Sequence, residues 1–159
     1  MVDLLVLGAA LGSGLIAGTF FVFSAAIMTA LGRLPPNEGI RAMQSINRVI
    51  LNPIFLGVFL GTGVLSAVII VLAVLRSGQI GWQYLITGAA VYLIGSVLVT
   101  IAFNVPMNNA LAAAEPEMPD ADAVWQNYLR NWTYWNHVRT LASLISTALF
   151  IIGYASHGG

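Results

Sequence analysis

The chain contains neither cysteine nor lysine. Without cysteine there are no disulfides, thiolate nucleophiles, iron–sulfur clusters or Cys-ligated zinc, and the redox compartment goes unread. His137 and His157 are the only imidazoles, and neither belongs to an HxxxH pair, so no haem or metal ligand set is assembled and no cofactor is predicted. Charge is equally scarce: charged residues make up 8% of the chain, six basic against six acidic, for a net charge of +0. The arginines are scattered rather than clustered, which excludes a basic patch for nucleic acid. Carboxylates are missing from the long apolar stretches after Asp3. That argues against a proton-driven transporter and against a di-iron bundle, both of which need acids inside the membrane.

What the chain does have is apolar length. Hydrophobic residues account for 58% of its 159 residues, far above the range of soluble globular domains. A bilayer core takes roughly 20 apolar residues of helix, and four stretches satisfy that at about 4–31, 53–75, 82–105 and 132–155. The expected fold is all-α: one membrane-embedded four-helix bundle, with a short interfacial helix at about 38–50 between helices one and two. The N-terminal segment lacks the basic start of a secretory signal and reads as a retained membrane helix. Pro35 and Pro36 close helix one, Asn52-Pro53 opens helix two, and 76–81 forms a tight polar link before Trp82. The acidic segment Glu115 to Asp122 reads as a solvated loop. The apolar run Thr140 to Tyr154 covers only about 22 Å at the helical rise, so helix four is expected to begin near Trp132. In helix one, Gly8, Gly12, Gly14 and Gly18 give small-xxx-small spacings that suit close packing within the bundle and also permit a homo-oligomer.

Four crossings put both termini on one side and the 1–2 and 3–4 loops together on the other. Arg33, Arg41, Arg48, Arg130 and Arg139 fall on that loop side and Arg76 on the opposite one. The positive-inside rule then places the loop end in the cytoplasm, with the inner (plasma) membrane as the expected location of a multi-pass protein. Amides converge at the same end: Gln44, Asn47 and Asn52 from the 1–2 segment, and Asn104 and Asn108, four apart, at the Pro106-broken exit of helix three. Trp132, Asn136, Arg139 and Ser143 form a single stripe on helix four at spacings of four, three and four, while His137 points elsewhere. Such residues serve either as hydrogen-bonding glue between helices and an interfacial aromatic belt, or as the polar anchors of a mostly apolar pocket.

Three stretches resemble the DUF1772 or anthrone oxygenase-like family of small membrane proteins, which includes fungal enzymes that oxidise anthrones to anthraquinones. They are GLIAGTFFVFSAAIMTAL in helix one, AMQSINRVILNPIFLGVF entering helix two, and NVPMNNAL with WNHVRTLASL around helices three and four. The resemblance implies a membrane bundle and an oxygenase acting on a flat aromatic substrate, with Asn47, Asn104, Asn108, Trp132, Asn136, His137 and Arg139 as matching positions. On that reading His137 is the candidate base, Arg139 with Asn104 or Asn108 holds an enolate oxygen, Trp132 and Trp135 stack on the rings, and Asn47 and Asn136 contact substrate. Its expected partners are membrane lipids and a lipophilic aromatic small molecule. The competing readings are a membrane module that binds or transports a quinone-like molecule without chemistry, and a structural subunit of another membrane enzyme.

Overall fold

A computed structural model describes residues 2–75 and 81–157, the side chain of His157 excepted. The polar link predicted at 76–81 falls, apart from Gly81, outside the described residues, as does the side chain of His157. Five helices and no strand occur among the described residues: α1 Val2–Leu31, α2 Pro36–Val49, α3 Pro53–Leu75, α4 Trp82–Ala113 and α5 Ala121–His157. Four of them, all but α2, are long and apolar enough to cross a membrane. They pack as a ring, α1 against α3 and α5, and α4 against α3 and α5. Leu4, Leu11, Ile54, Val71 and Leu75 point outward, an arrangement that suits lipid rather than water.

The local starts and stops follow from the sequence. Pro36 sits in the first turn of α2, where its missing N–H has no partner to lose. The side chain of Asn52 caps α3: its Oδ1 accepts from the backbone N–H groups of Ile54 and Phe55, both at 3.0 Å. Gly81, with φ at +91°, supplies the left-handed turn that starts α4. The helix-one glycines are used inside the bundle at Gly8, which faces Leu65, Gly12, which faces Thr62, and Gly14, which faces Thr147; a side chain at Gly18 would meet open space.

Two boundaries differ from the sequence expectation. Helix four begins at Ala121, not near Trp132, and its 37 residues make a rod of about 55 Å. That exceeds a hydrocarbon core of about 30 Å, and the excess has a packing reason. Trp125, Tyr128 and Trp132 bury themselves against Ile40 and Met43 of α2 and Leu111 of α4, forming a second core beyond the span. Gln44 of α2 ties this cap together by donating to the carbonyls of Leu111 and Ala114 at the end of α4. Across the cap surface Arg41 pairs with Glu117, and that hydrogen bond holds the Glu117 carboxyl below its ordinary range. Being depressed, its contribution is present above the ordinary carboxylate range and is lost as pH falls through the lowered value; at this exposure it is small.

Helix three likewise runs through Pro106 to Ala113. A proline ring collides with the carbonyl four residues earlier in a regular helix, but here wide i→i+5 turns at Leu93–Leu98 and Thr100–Asn104 precede it and make room.

The cap also sets a stability prediction. Gly39 packs flat on the indole of Trp125, and a Cβ there would lie 2.6 Å from Cε2. Gly39→Ala is expected to lose about 1–3 kcal/mol through overpacking, more than the gain in helix propensity returns. A thermal midpoint in detergent equal to or above that of the unsubstituted protein would refute this packing.

Candidate functional site

The inward stripe of α5 reads Trp125, Tyr128, Trp132, Asn136, Arg139, Ser143 and Ser146, all buried. Arg139 is 5% exposed, the only buried arginine among the described residues. Its Nη2 donates to Asn136 Oδ1 at 2.7 Å and its Nη1 to Thr100 Oγ1 at 3.2 Å, while Nε is buried with no partner. Its carbon Cζ lies 4.2 Å from the ring centre of Phe20 and 5.1 Å from that of Trp132. No carboxylate pairs with it among the described residues, where the one ion pair is Arg41 with Glu117. Burying a cation costs several kcal/mol, and two aromatic faces return about 0.5–2 kcal/mol each. The guanidinium is held in place, yet no counterion for its charge is found among the described residues.

Asn136 does the holding. Its Nδ2 donates to the Phe20 carbonyl and to Ser24 Oγ, both at 2.8 Å, leaving Oδ1 for Arg139. It is a bridge between α1 and α5 that aims the arginine rather than a free contact group.

A pocket of about 90 Å³ opens beside Arg139. Phe20, Phe59, Trp132 and Arg139 form its buried floor, and Leu51 and Val105 its exposed rim. Asn47 and Asn108 stand in its wall. The Oδ1 of Asn108 accepts from both Tyr128 OH and Trp132 Nε1, each at 2.8 Å. Because an indole N–H can only donate, this fixes which way round the amide sits. Its NH2 is then without a protein partner among the described residues. Asn47 donates to Tyr128 OH at 3.3 Å, extending the same network into α2.

The structure therefore brings together Arg139, Asn108, Trp132 and Asn47 at one pocket, with Asn136 directly behind. Asn104 is also fully buried but stands outside the pocket lining: its Nδ2 donates to the Trp132 carbonyl at 3.3 Å and its Oδ1 has no partner. Trp135 faces away and stacks on Phe103, ring centres 3.6 Å apart. His137 is exposed and lines a separate open hollow with Arg130, Thr133 and Tyr134. Two residues apart on a helix, His137 and Arg139 point in directions about 200° apart. Among the described residues no cluster of three or more His, Asp or Glu side chains comes together as metal ligands.

Sequence reasoning passed over Thr100, Phe20 and the α3 wall. Phe55 and Phe59, four apart and stacked with centres 5.9 Å apart, carried a usable signal as a same-face pair entering helix two. Thr100 carried none, since a threonine in an apolar helix usually bonds back to its own turn, as Thr100 also does to the Ser96 carbonyl.

These features define an integral membrane protein: a helical bundle with a buried cation at the foot of an apolar pocket. Residues 54–149 match the anthrone oxygenase family, DUF1772, and the chain belongs to that oxygenase-like family. The matched region contains Asn104, Asn108, Trp132, Asn136 and Arg139, whereas Asn47 precedes it. No curated protein and no solved structure matches the chain.

Proposed function

We propose that the pocket binds an anthrone-like aromatic ketone as its enolate and lets that anion react with dioxygen to give the quinone. The observation that carries this reading is Arg139, a buried guanidinium without a carboxylate, set between the rings of Phe20 and Trp132 in an otherwise apolar pocket. An anthrone carries an acidic CH2 between two rings; losing one proton gives an anion spread over the rings and the ketone oxygen. Arg139 and the NH2 of Asn108 favour that oxygen's charge, as oxyanion-holding donors do. The pocket admits one end of such a molecule, with the rest lying along the Leu51 and Val105 rim.

The carbanion gives one electron to dioxygen, and the resulting radical and superoxide combine into a C–O bond. Protonation yields a hydroperoxide; loss of the remaining C–H proton with cleavage of the O–O bond releases water and leaves the carbonyl. One oxygen atom enters the product and the other leaves as water. The four electrons come from the substrate carbon, so no external reductant is consumed.

The pocket lining includes no imidazole and no carboxylate, and His137 faces the other side of α5. The proton therefore leaves to solvent base at the rim. The rate should rise with pH along the substrate's own ionisation, without an inflection near the ordinary histidine value of about 6.5. His137→Ala should keep that profile and most of the turnover. The test is oxygen uptake and quinone formation by the detergent-solubilised protein given a hydroxyanthrone, against the spontaneous rate. A pH profile governed by a group near 6.5 that disappears in His137→Ala would overturn the assignment.

The same absence of a base in the lining also suits a second reading, in which the pocket binds a quinone-like molecule without chemistry. Tight quinone binding with no uptake above the spontaneous rate would select it.

A further inference from the structure

A second hollow adjoins the pocket. It measures about 360 Å³ and lies in the seam between α1 and α3, with Leu15, Ile54 and Val58 in its walls. Thr19 and Phe55 line both spaces, so they form a shared wall between the hollow and the pocket that contains Arg139. Deeper along the same seam α1 and α3 are closed tightly, with Gly12 on Thr62 and Gly8 on Leu65. The hollow faces outward from the bundle: Ile54 is 82% and Leu15 64% exposed.

The two polar side chains at this hollow are each hydrogen-bonded to nearby backbone. Thr19 Oγ1 donates to the Leu15 carbonyl at 3.0 Å, so its hydroxyl proton is already used within its own helix. Asn52 donates to the Val49 carbonyl and caps Ile54 and Phe55. An outward-facing hollow of this kind presents mostly hydrocarbon, which is costly against water and costless against acyl chains. Beyond the Thr19 and Phe55 wall lies the pocket with Arg139, which has no carboxylate partner among the described residues.

Building on the reading of the pocket as a site for a lipophilic enolate, we propose that the substrate reaches Arg139 sideways from the bilayer, through the α1–α3 hollow and past Thr19 and Phe55. The substrate class this route selects is flat and membrane-partitioned, with one polar oxygen leading. An aqueous route would instead pass the cap side, where Asn47 and Leu51 meet the pocket.

The absence of native cysteine makes the route measurable without any turnover. Thr100→Cys places a single thiol in the pocket lining beside Arg139, and in liposomes it is challenged with a lipophilic maleimide and with a sulfonated, membrane-impermeant one. Leu15→Trp and, separately, Ile54→Trp fill the hollow from outward-facing positions that leave the core intact. Val71→Trp, on a different lipid-facing stretch of α3, is the control. The expected result is labelling by the lipophilic reagent alone, slowed roughly tenfold, the equivalent of a small added barrier, in both filled variants and unchanged in the control. Labelling by the sulfonated reagent at a comparable rate would overturn the lateral route. So would filled variants that label as fast as Thr100→Cys alone, or a thiol that neither reagent reaches. If no hydroxyanthrone is oxidised, the oxygenase reading fails while these labelling rates still decide the route. Helicity of each variant by circular dichroism separates a blocked path from a misfolded bundle.

Discussion

Arg139→Met is expected to cut protein-dependent quinone formation by about 100- to 1,000-fold, the range seen when one donor to a developing oxyanion is removed, while leaving the bundle folded. The stability expectation follows from two opposing effects. Methionine removes a buried charge that costs several kcal/mol to desolvate and fills similar volume with apolar atoms. Against this, Asn136 Oδ1 loses the donor it holds at 2.7 Å, and an unsatisfied buried acceptor costs about 1–3 kcal/mol. Thr100 keeps its bond to the Ser96 carbonyl. The two effects are similar in size, so the thermal midpoint should move little while activity collapses. Arg139→Lys should fall between, because an ammonium keeps the charge but not the fork that reaches Asn136 and Thr100 together. Wild-type turnover in a folded Arg139→Met protein would remove the arginine from the chemistry and, with it, the proposed function.

Asn108→Asp tests the second donor by changing one atom. The retained oxygen still accepts from Tyr128 OH and Trp132 Nε1, so the network around α5 should hold. What changes is the group left for the pocket: a donating NH2 becomes an anionic oxygen in the same wall as Arg139. It either neutralises the guanidinium or repels the substrate anion, and turnover is expected to fall by about 100-fold or more. Measured against the unsubstituted protein at the same pH, the defect should shrink as pH drops through the carboxylate range, because the introduced carboxyl, once protonated, again donates a hydrogen bond. Asn108→Leu gives the contrasting case, since it leaves the Trp132 indole N–H without its acceptor and should destabilise the protein by about 1–3 kcal/mol. An aspartate variant with unaltered rate at neutral pH would mean that the amide does not face substrate.

Much of this site was legible in the residues before the fold. Asn136 and Arg139 read as inward because Trp132, Asn136, Arg139 and Ser143 recur at helical spacing, and all four are buried on one stripe. Asn104 and Asn108 read as neighbours of that stripe because the third helix had to exit where the fourth began. The same spacing placed His137 off the stripe, although the resemblance made it a candidate base; the structure has it exposed on the opposite side.

Apolar length and near-absent charge determined by themselves that this chain builds four membrane helices, because a long, uninterrupted apolar segment satisfies its own backbone polar groups in hydrocarbon only as a helix. The family match covers residues 54–149, a continuous run of sequence that includes NVPMNNAL and WNHVRTLASL. The pocket is not local. Tyr92, Ser96, Thr100, Asn104 and Asn108 recur every four residues, and in a regular helix each such step drifts about 40°, enough over the run to carry Asn108 nearly to the far side from Tyr92. The wide turns at Leu93–Leu98 and Thr100–Asn104 absorb that drift. Side-chain patterns do not announce such turns. They depend on what the neighbouring helices offer, here Arg139 for Thr100, the Trp132 carbonyl for Asn104 and the Trp132 indole for Asn108. Likewise the cap formed by α2 and the start of α5 arises from contacts between segments far apart in sequence. Which residues share a stripe is set by the pitch of one helix, but which stripes face one another, and what charge is left unpaired between them, only the packed bundle decides.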